Sequence, residues 1–572
     1  MTSSSTWPQE FSLESHQGHS HQLLGLSGES DPYFLRHYVY NKHDTYRMFR
    51  LHFRKVVDDA LVPGPAPPAE NPENLRPMPS SPMPVQFVIA DEAIWANDVH
   101  SIEGIFNGSS TEDTDTALLK KLVPPELAVR LLKLPAANDN TNDKTASGQL
   151  NPAPEAHVEG WQFQHPNTNA RPDGALSFPV GLRCAVYALA APFAFLDDQL
   201  SVSRGYREGS TDELWTIAHR SFQRASRLSH LSSLQLCLLL LQQPPQSHVA
   251  AEPPSFWALS CTSLAIAESL GLGLDPANWR LPRSEVILRR RLWWLTHTTH
   301  VWNAIVFGRP SHIHKDDWDV APLRPDDFEG GEGGSAEQVA ICIAECELGL
   351  IAADNSTLRG TRGEPPTLSS LLALAQPLRT RIDSWRQTLP LLSKSASDLT
   401  DVEFENGVAL RLSHLTLELL IFRALLRPLT IQAIRAISPS DSSREPISAI
   451  FDNGYNCANA VAGMVSSLQA KHFANFWPLY VRHQLCYVAP FLLMNLAQSP
   501  TDPMAARSLA LLDHWRRTLR IVARAWPLAR LAAMRLDAIT WKGISTVIHG
   551  AGSDSPAMAL VRQQEGNSGN SE

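Results

Sequence analysis

Cys342 and Cys346 stand four apart in ICIAEC, a spacing that puts two thiols on one helix face. Two thiolates are half of a tetrahedral zinc site. Ile341, Ile343 and Leu348 surround the pair, however, and nothing nearby in the chain supplies two more ligands, so they read as buried thiols. The remaining cysteines, Cys184, Cys237, Cys261, Cys457 and Cys486, are scattered, and a six-cysteine binuclear zinc cluster cannot be assembled from them. His297 and His300 in HTTH lie three apart on one helical face, which is ligand geometry. No carboxylate lies on the adjoining turns, so packed or hydrogen-bonded imidazoles are the expectation. His16, His19 and His21 sit among Ser and Gly, where they could do no more than capture metal adventitiously. Asp316, Asp317 and Asp319 in HKDDWDV, with Asp197 and Asp198 in FLDDQL, raise magnesium-diphosphate chemistry of the all-α isoprenoid kind. The first run lies between Pro310 and Pro322 in an extended connection, and the second lacks a third acid. No GxSxG, P-loop, dinucleotide fingerprint or HExxH is present. The expectation is a protein that is not an enzyme, with no cofactor and no metal held by this chain.

Those residues need elements to hold them. The chain has 572 residues, 43% hydrophobic and 19% charged, with 49 Lys+Arg against 58 Asp+Glu and a net charge of −9. That composition is globular and excludes collagen, coiled-coil arrays and disulfide scaffolds. The acidic balance argues against wrapping a phosphate backbone. The longest apolar run, Cys184 to Leu196, contains Pro192 and is shorter than the roughly 20 residues that span a bilayer. No membrane contact is expected, and the chain reads as soluble and intracellular.

Residues 62–84 hold nine prolines in 23 positions. Around that loop, Phe49, Leu51, Phe53 and Val85, Phe87, Ile89 alternate at period two, so a short β-pair is expected in a small irregular N-terminal lobe over 23–134. Residues 135–175 are rich in Asn, Pro and Thr and read as a disordered insertion, as do tails at 1–22 and 548–572. From 176 to 547 nearly every segment between breaks reads as helix. The expected fold is mostly α, a large multi-helix regulatory domain.

The stretch 256–328 carries the most information. Leu288, Leu292, Leu295, Thr299, Trp302 and Val306 form one stripe on a long helix that starts near Ser284 and Glu285. Arg289, Arg290 and Arg291 precede Trp293 and Trp294, so guanidinium groups are expected over the indoles. Gly308 ends the helix, and Arg309-Pro310 forces an extended exit.

LAIAESLGL (264–272), RRRLWW (289–294), GRPSHI (308–313) and DDWDV (316–320), in that order and spacing, resemble the fungal-specific transcription factor domain, the middle homology region of zinc-cluster regulators. GLRCAVYALAAPFAF (181–195), SWRQTLP (384–390), FRALLRP (422–428), FWPLYVR (476–482) and WRRTLR with RLDAITW (515–541) look like further stations of the same family. GLSGESDPYFLRHY (25–38) is similar to the stretch preceding that domain in the TamA-type coactivators of nitrogen-catabolic genes. The likeness covers roughly 25–545.

The resemblance implies a nuclear transcription regulator, either a coactivator or a zinc-cluster factor whose DNA-binding cluster is missing from this chain. Zinc would then belong to that missing N-terminal cluster. Partners would be other transcription factors or coactivators, with DNA met indirectly, and a small-molecule effector is open. The family-motif residues are Arg290, Arg291, Trp293, Trp294, Gly308, Arg309, Pro310, Asp317 and Asp319. The charged pair usual downstream of the double Trp is replaced by His300 and Val301. An aromatic-rich segment usual after RLLKLP (130–135) is also absent. Two competitors stay open: a helical small-molecule receptor controlling transcription, and, more remotely, an isoprenoid-type enzyme.

Overall fold

A computed structural model describes residues 19–26, 28–41, 44–49, 51–57, 85–91, 112–132, 178–206, 211–226, 230–245, 254–279, 281–328, 336–355, 358, 367–389, 401–430, 434, 444–473, 476–548 and 555–568. The Pro-rich loop expected at 62–84 and the insertion expected at 135–175 lie outside them.

The N-terminal lobe is more regular than the expected β-pair. Strands β1 (His19–Leu23), β2 (Thr45–Met48), β3 (Leu51–Val57) and β4 (Val85–Asp91) form one antiparallel sheet in the order β1-β4-β3-β2. β3 and β4 are the pair read from the alternation, with Phe53 opposite Val88. Phe49 is not in a strand. It sits in the tight turn between β2 and β3 with φ +55°. The short helix α1 (Pro32–Leu35) precedes the sheet, capped by Asp31, whose carboxylate accepts from the Tyr33 N–H at 2.9 Å. β1 lies within the stretch read as an N-terminal tail.

Helices account for the rest. A first group holds α2 (Glu112–Leu122), α3 (Pro125–Leu132), α4 (Val180–Ala190), α5 (Asp198–Tyr206), α6 (Thr211–Ala225), α7 (Leu231–Leu240) and α8 (Pro254–Ser269). Then come α9 (Arg283–Val306) and α10 (Ala336–Asp354). The second group is α11 (Leu368–Gln387), α12 (Asp401–Leu426), α13 (Arg444–Ser467), α14 (Ala470–Phe473), α15 (Val481–Gln484), α16 (Val488–Gln498), α17 (Asp502–Val522), α18 (Arg530–Lys542), α19 (Ile544–Val547) and α20 (Pro556–Ser568). The last of these falls in the expected C-terminal tail. Proline divides the segments as its missing N–H and ring demand: Pro192 lies in a 3₁₀ turn after α4, and Pro527 starts one between α17 and α18. Pro377, by contrast, sits inside α11.

Two apolar cores result. The first joins α2 to α8 with the N-terminal half of α9. The second joins the C-terminal half of α9 with α11 to α20, and it also takes Phe34, Tyr38, Tyr46, Met48 and Phe53 of the N-terminal lobe. The lobe therefore packs on the distal helices rather than standing alone.

Candidate functional site

α9 is buried all round from Arg291 onward, not along the single stripe that its spacing suggested: Leu295 is only partly covered, while His297, Thr298 and Asn303 are buried. Its N-terminal half is fixed by salt-bridged arginine. Arg290 donates from Nη2 to Asp275 Oδ1 at 2.8 Å and from Nε to Asp275 Oδ2 at 3.1 Å, a two-pronged fork. Its Nη1 reaches Asp327 Oδ1 at 3.3 Å. Asp275 Oδ2 also accepts from the Ala321 N–H at 2.8 Å, and Asp319 Oδ1 accepts from the Asp275 N–H at 2.9 Å. Burial pushes the Asp275 carboxyl up, but the donors from Arg290, Ala321 and Ala277 outweigh it and hold it below the usual carboxylate range. One guanidinium thus ties the loop before α9 to the extended chain after it.

The other motif residues pack around this knot. Arg291 is 4% exposed and lies over the Phe328 ring at 4.5 Å; burial lowers its pKa to about 10. Arg289 covers Trp279 at 5.6 Å. The expected stacking of these arginines on Trp293 and Trp294 does not occur, because Asp275, Asp327 and Phe328 hold them elsewhere. Trp294 donates its indole N–H to the Ala321 carbonyl at 2.9 Å and meets Trp318 edge-on at 5.5 Å. Trp293 sits 5.7 Å from the same Trp318 ring.

His297 is enclosed by Trp293, Trp294 and Trp318, and its Nδ1 has no partner among the described residues. Burial lowers its pKa to about 4. His300 points elsewhere: its ring stacks on Trp257 at 5.2 Å, and its Nε2 accepts from the His312 N–H at 3.3 Å. The proton is thereby placed on Nδ1, which faces Ser260. Burial lowers this imidazole too, to about 4. The two histidines have separate structural surroundings. Among the described residues no group of three or more His, Cys, Asp and Glu is arranged to hold a metal ion. Cys342 and Cys346 share a hydrogen bond that raises the Cys342 thiol, as does burial. Asp197 binds Arg130 at 2.6 Å, while Asp317 is exposed, so the two acidic runs do not form one cluster. Among the described residues no helix is long and apolar enough to cross a membrane.

At the far end of α9, about 27 Å from Arg290 by helical rise, a second constellation appears. Gly308 has φ +64°; its N–H donates to Ile305 and the Arg309 N–H to Ala304, at 3.0 and 2.8 Å, a Schellman stop. A Cβ on Gly308 would lie 2.5 Å from the Gly25 Cα, so the helix stop is also where the N-terminal lobe docks, backbone on backbone. Arg309 is half-buried with its pKa lowered by burial, and Pro310 is exposed. The motif is therefore not one site. Arg290, Arg291, Trp293, Trp294 and Asp319 share one corner, Gly308, Arg309 and Pro310 another, and Asp317 stands at the surface.

Sequence reasoning missed the anchor beside that second corner. Asp31 is fully buried between Arg427, which donates to its Oδ2 from Nη2 at 3.1 Å and Nε at 3.2 Å, and Arg423 at 3.6 Å. Arg423 also donates to the Gly28 and Leu26 carbonyls at 2.9 and 3.1 Å. Arg535 binds Glu29 at 2.7 Å. The one available signal was a pair of arginines four apart, Arg423 and Arg427, at the end of the apolar run of α12 and just past it.

Residues 161–352 match a family model described as the fungal specific transcription factor domain. An uncharacterized transcriptional regulatory protein of Schizosaccharomyces pombe is 22% identical over 410 residues, 70% of this chain and 56% of that protein. The transcriptional activator protein DAL81 of Saccharomyces cerevisiae is 26% identical over 340 residues, 52% of this chain and 33% of that protein. An acetamidase regulatory protein of Aspergillus oryzae is 37% identical over 83 residues, 14% of this chain and 10% of that protein.

Proposed function

We propose that this chain, whose residues 161–352 match the fungal specific transcription factor domain, is a nuclear transcription regulator that recruits other factors or coactivators at promoters and meets DNA indirectly. One observation carries the structural half of this reading. The family-motif residues are used up in holding α9: Arg290 is closed by Asp275 and Asp327, Trp294 by Ala321, and Gly308 by Gly25. Arg290, Arg291, Trp293, Trp294, Gly308, Arg309 and Asp319 act as scaffold, and Asp317 and Pro310 are exposed motif residues left for outside contact. The likeness of residues 25–38 favours a coactivator of the nitrogen-catabolism branch, and the relative DAL81 is by name a transcriptional activator.

The test tethers the full chain to a heterologous DNA-binding domain at a reporter promoter and, separately, offers the untethered chain random duplexes at near-physiological salt. Reporter output should change when tethered, and no motif should be enriched by the chain alone. An unchanged reporter overturns the regulator reading, and enrichment of one motif overturns indirect recruitment.

A second reading, a small-molecule receptor, finds little room: the cavity under the N-terminal lobe is about 40 Å³, against the several hundred Å³ of a usual ligand pocket. Phe34, Tyr38, Met48, Phe53 and Ile539 line it, with the Glu29–Arg535 pair at one wall. Small nitrogen metabolites that raise the melting temperature of the chain, and fail to do so in a Met48→Trp variant, would favour this reading.

A further inference from the structure

The outer surface of the α17–α18 hairpin carries large apolar side chains that the fold leaves open. Ile521 is 70% exposed and Trp541 is 73% exposed. Phe49, 48% exposed, stacks on Trp541 with ring centroids 5.2 Å apart. Phe49 does so from a left-handed backbone conformation, φ +55°, which is costly for a bulky aromatic residue. An aromatic pair is thus held at the surface in spite of strain.

Arginines fill the ground between. Arg516 and Arg520 bracket Asp537 at 2.7 and 3.1 Å, which aligns the two helices antiparallel. Arg517 and Arg520 side chains are 69% and 59% exposed, and Arg524 and Arg530 are exposed as well. Among the described residues these five arginines meet two carboxylates, Asp513 and Asp537, while Arg530 donates to the Ala523 carbonyl. The pairing of Arg516 and Arg520 with Asp537 sets Ile521 and Trp541, on neighbouring helices, about 10 Å apart along the hairpin axis. That separation equals two turns of a partner helix, the distance between its i and i+7 side chains.

From this juxtaposition we infer that the α17–α18 face with the Phe49–Trp541 pair docks an acidic amphipathic helix of a partner protein, its apolar anchors on Trp541 and Ile521 and its carboxylates on the arginines. Trp and Arg are the residue types that dominate interface energetics. A nucleic acid fits less well. Asp513 and Asp537 interrupt any phosphate track, and Ile521 offers no ring for a base to stack on. The inference stands on this surface alone and does not depend on the corner around Arg290.

The test uses the full chain and fluorescence anisotropy. The probe is a fluorescein-labelled peptide of about 20 residues with Leu and Phe at i, i+3 and i+7 and Asp and Glu between them. Its controls are the same peptide with Asn and Gln for the acids, and a single-stranded oligothymidine. The acidic peptide should bind saturably, and Trp541→Ala and Ile521→Ser should each weaken it about tenfold or more. The double variant Arg517→Gln/Arg524→Gln should flatten its salt dependence. Ile521 and the arginines are exposed, and Trp541→Ala loses only its stack on Phe49, about 1 kcal/mol, so melting temperatures should stay within a few degrees of the parent and the variants folded. Three results would overturn the inference: no saturable binding up to about 100 µM, equal binding of the neutral peptide, or an affinity that Trp541→Ala leaves unchanged. Tighter, competing binding of the oligothymidine would assign the face to nucleic acid instead.

Discussion

Trp294 is 2% exposed, and its indole N–H supplies a donor to the Ala321 carbonyl. Truncation to alanine opens a void beside Trp318 and His297 and removes that donor. Trp294→Ala should therefore cost about 3–5 kcal/mol, read as a lower urea midpoint. An unchanged midpoint together with lost reporter output would make Trp294 an interface residue. The buried histidines set a pH dependence. His297 and His300 are held near 4 against an ordinary 6.5, so below pH 6.5 the unfolded chain binds protons that the folded chain refuses. Stability is whole above 6.5 and is lost as pH falls toward 4, by about 2 kcal/mol per histidine at pH 5. His37, at about 3, and His414, at about 4, act in the same direction. Glu345, raised to about 7 by burial, runs the other way and offsets roughly one of them. A urea midpoint at pH 5 equal to that at pH 7 would contradict this. Residue types and spacing located Arg290 and the two tryptophans but not their partners. Asp275 and Asp327 lie 15 and 37 positions away in the chain, and a bidentate carboxylate outcompetes an indole face for a guanidinium.

Among the elements, α9 was the most legible. Pro282 at its start and Gly308 at its end are local signals, and the structure begins the helix at Arg283 and stops it at Val306. The second role of Gly308 is not local. Its contact, Gly25, is remote in the sequence, as are the arginines of α12 that enclose Asp31. No periodicity encodes such a meeting, because both partners were chosen by tertiary packing. The four-stranded sheet was legible only where two longer strands alternate, in β3 and β4; β1 is short and polar, and β2 has four residues, too few for its Tyr46 and Met48 to show a period. Gly308→Ala tests the docking. The left-handed backbone alone costs an alanine about 1–2 kcal/mol, and the added methyl also strikes Gly25. The N-terminal lobe should loosen, with β2 and β3 becoming sensitive to limited proteolysis while far-UV helicity is kept. Asp31→Asn should do the same at a larger cost, about 3–5 kcal/mol, since it leaves Arg423 and Arg427 buried without their carboxylate. Resistance of both variants at parental levels would mean that the lobe is held by its apolar face alone.

Across the whole molecule, α9 and α10 belong to both cores. Leu292, Trp293 and Trp294 pack in the first, and Val301, Trp302 and Ile305 in the second, where Trp302 stacks on Tyr480 at 5.3 Å. On α10, Cys342 and Cys346 face the first core, and Ile341, Ala344 and Leu348 the second. Neither core can open around these helices without exposing the tryptophans of α9. Local openings elsewhere, such as separation of the sheet from α16 and α18, release fewer apolar contacts. Amide exchange of the native chain should therefore be slowest over 291–306, with an opening free energy matching global unfolding, while 45–57 exchanges earlier. If the two halves of α9 instead exchange with different opening energies, divided near Thr298, the cores unfold independently and α9 is a hinge. Faster exchange in α9 than in the sheet would reverse the order of stability altogether.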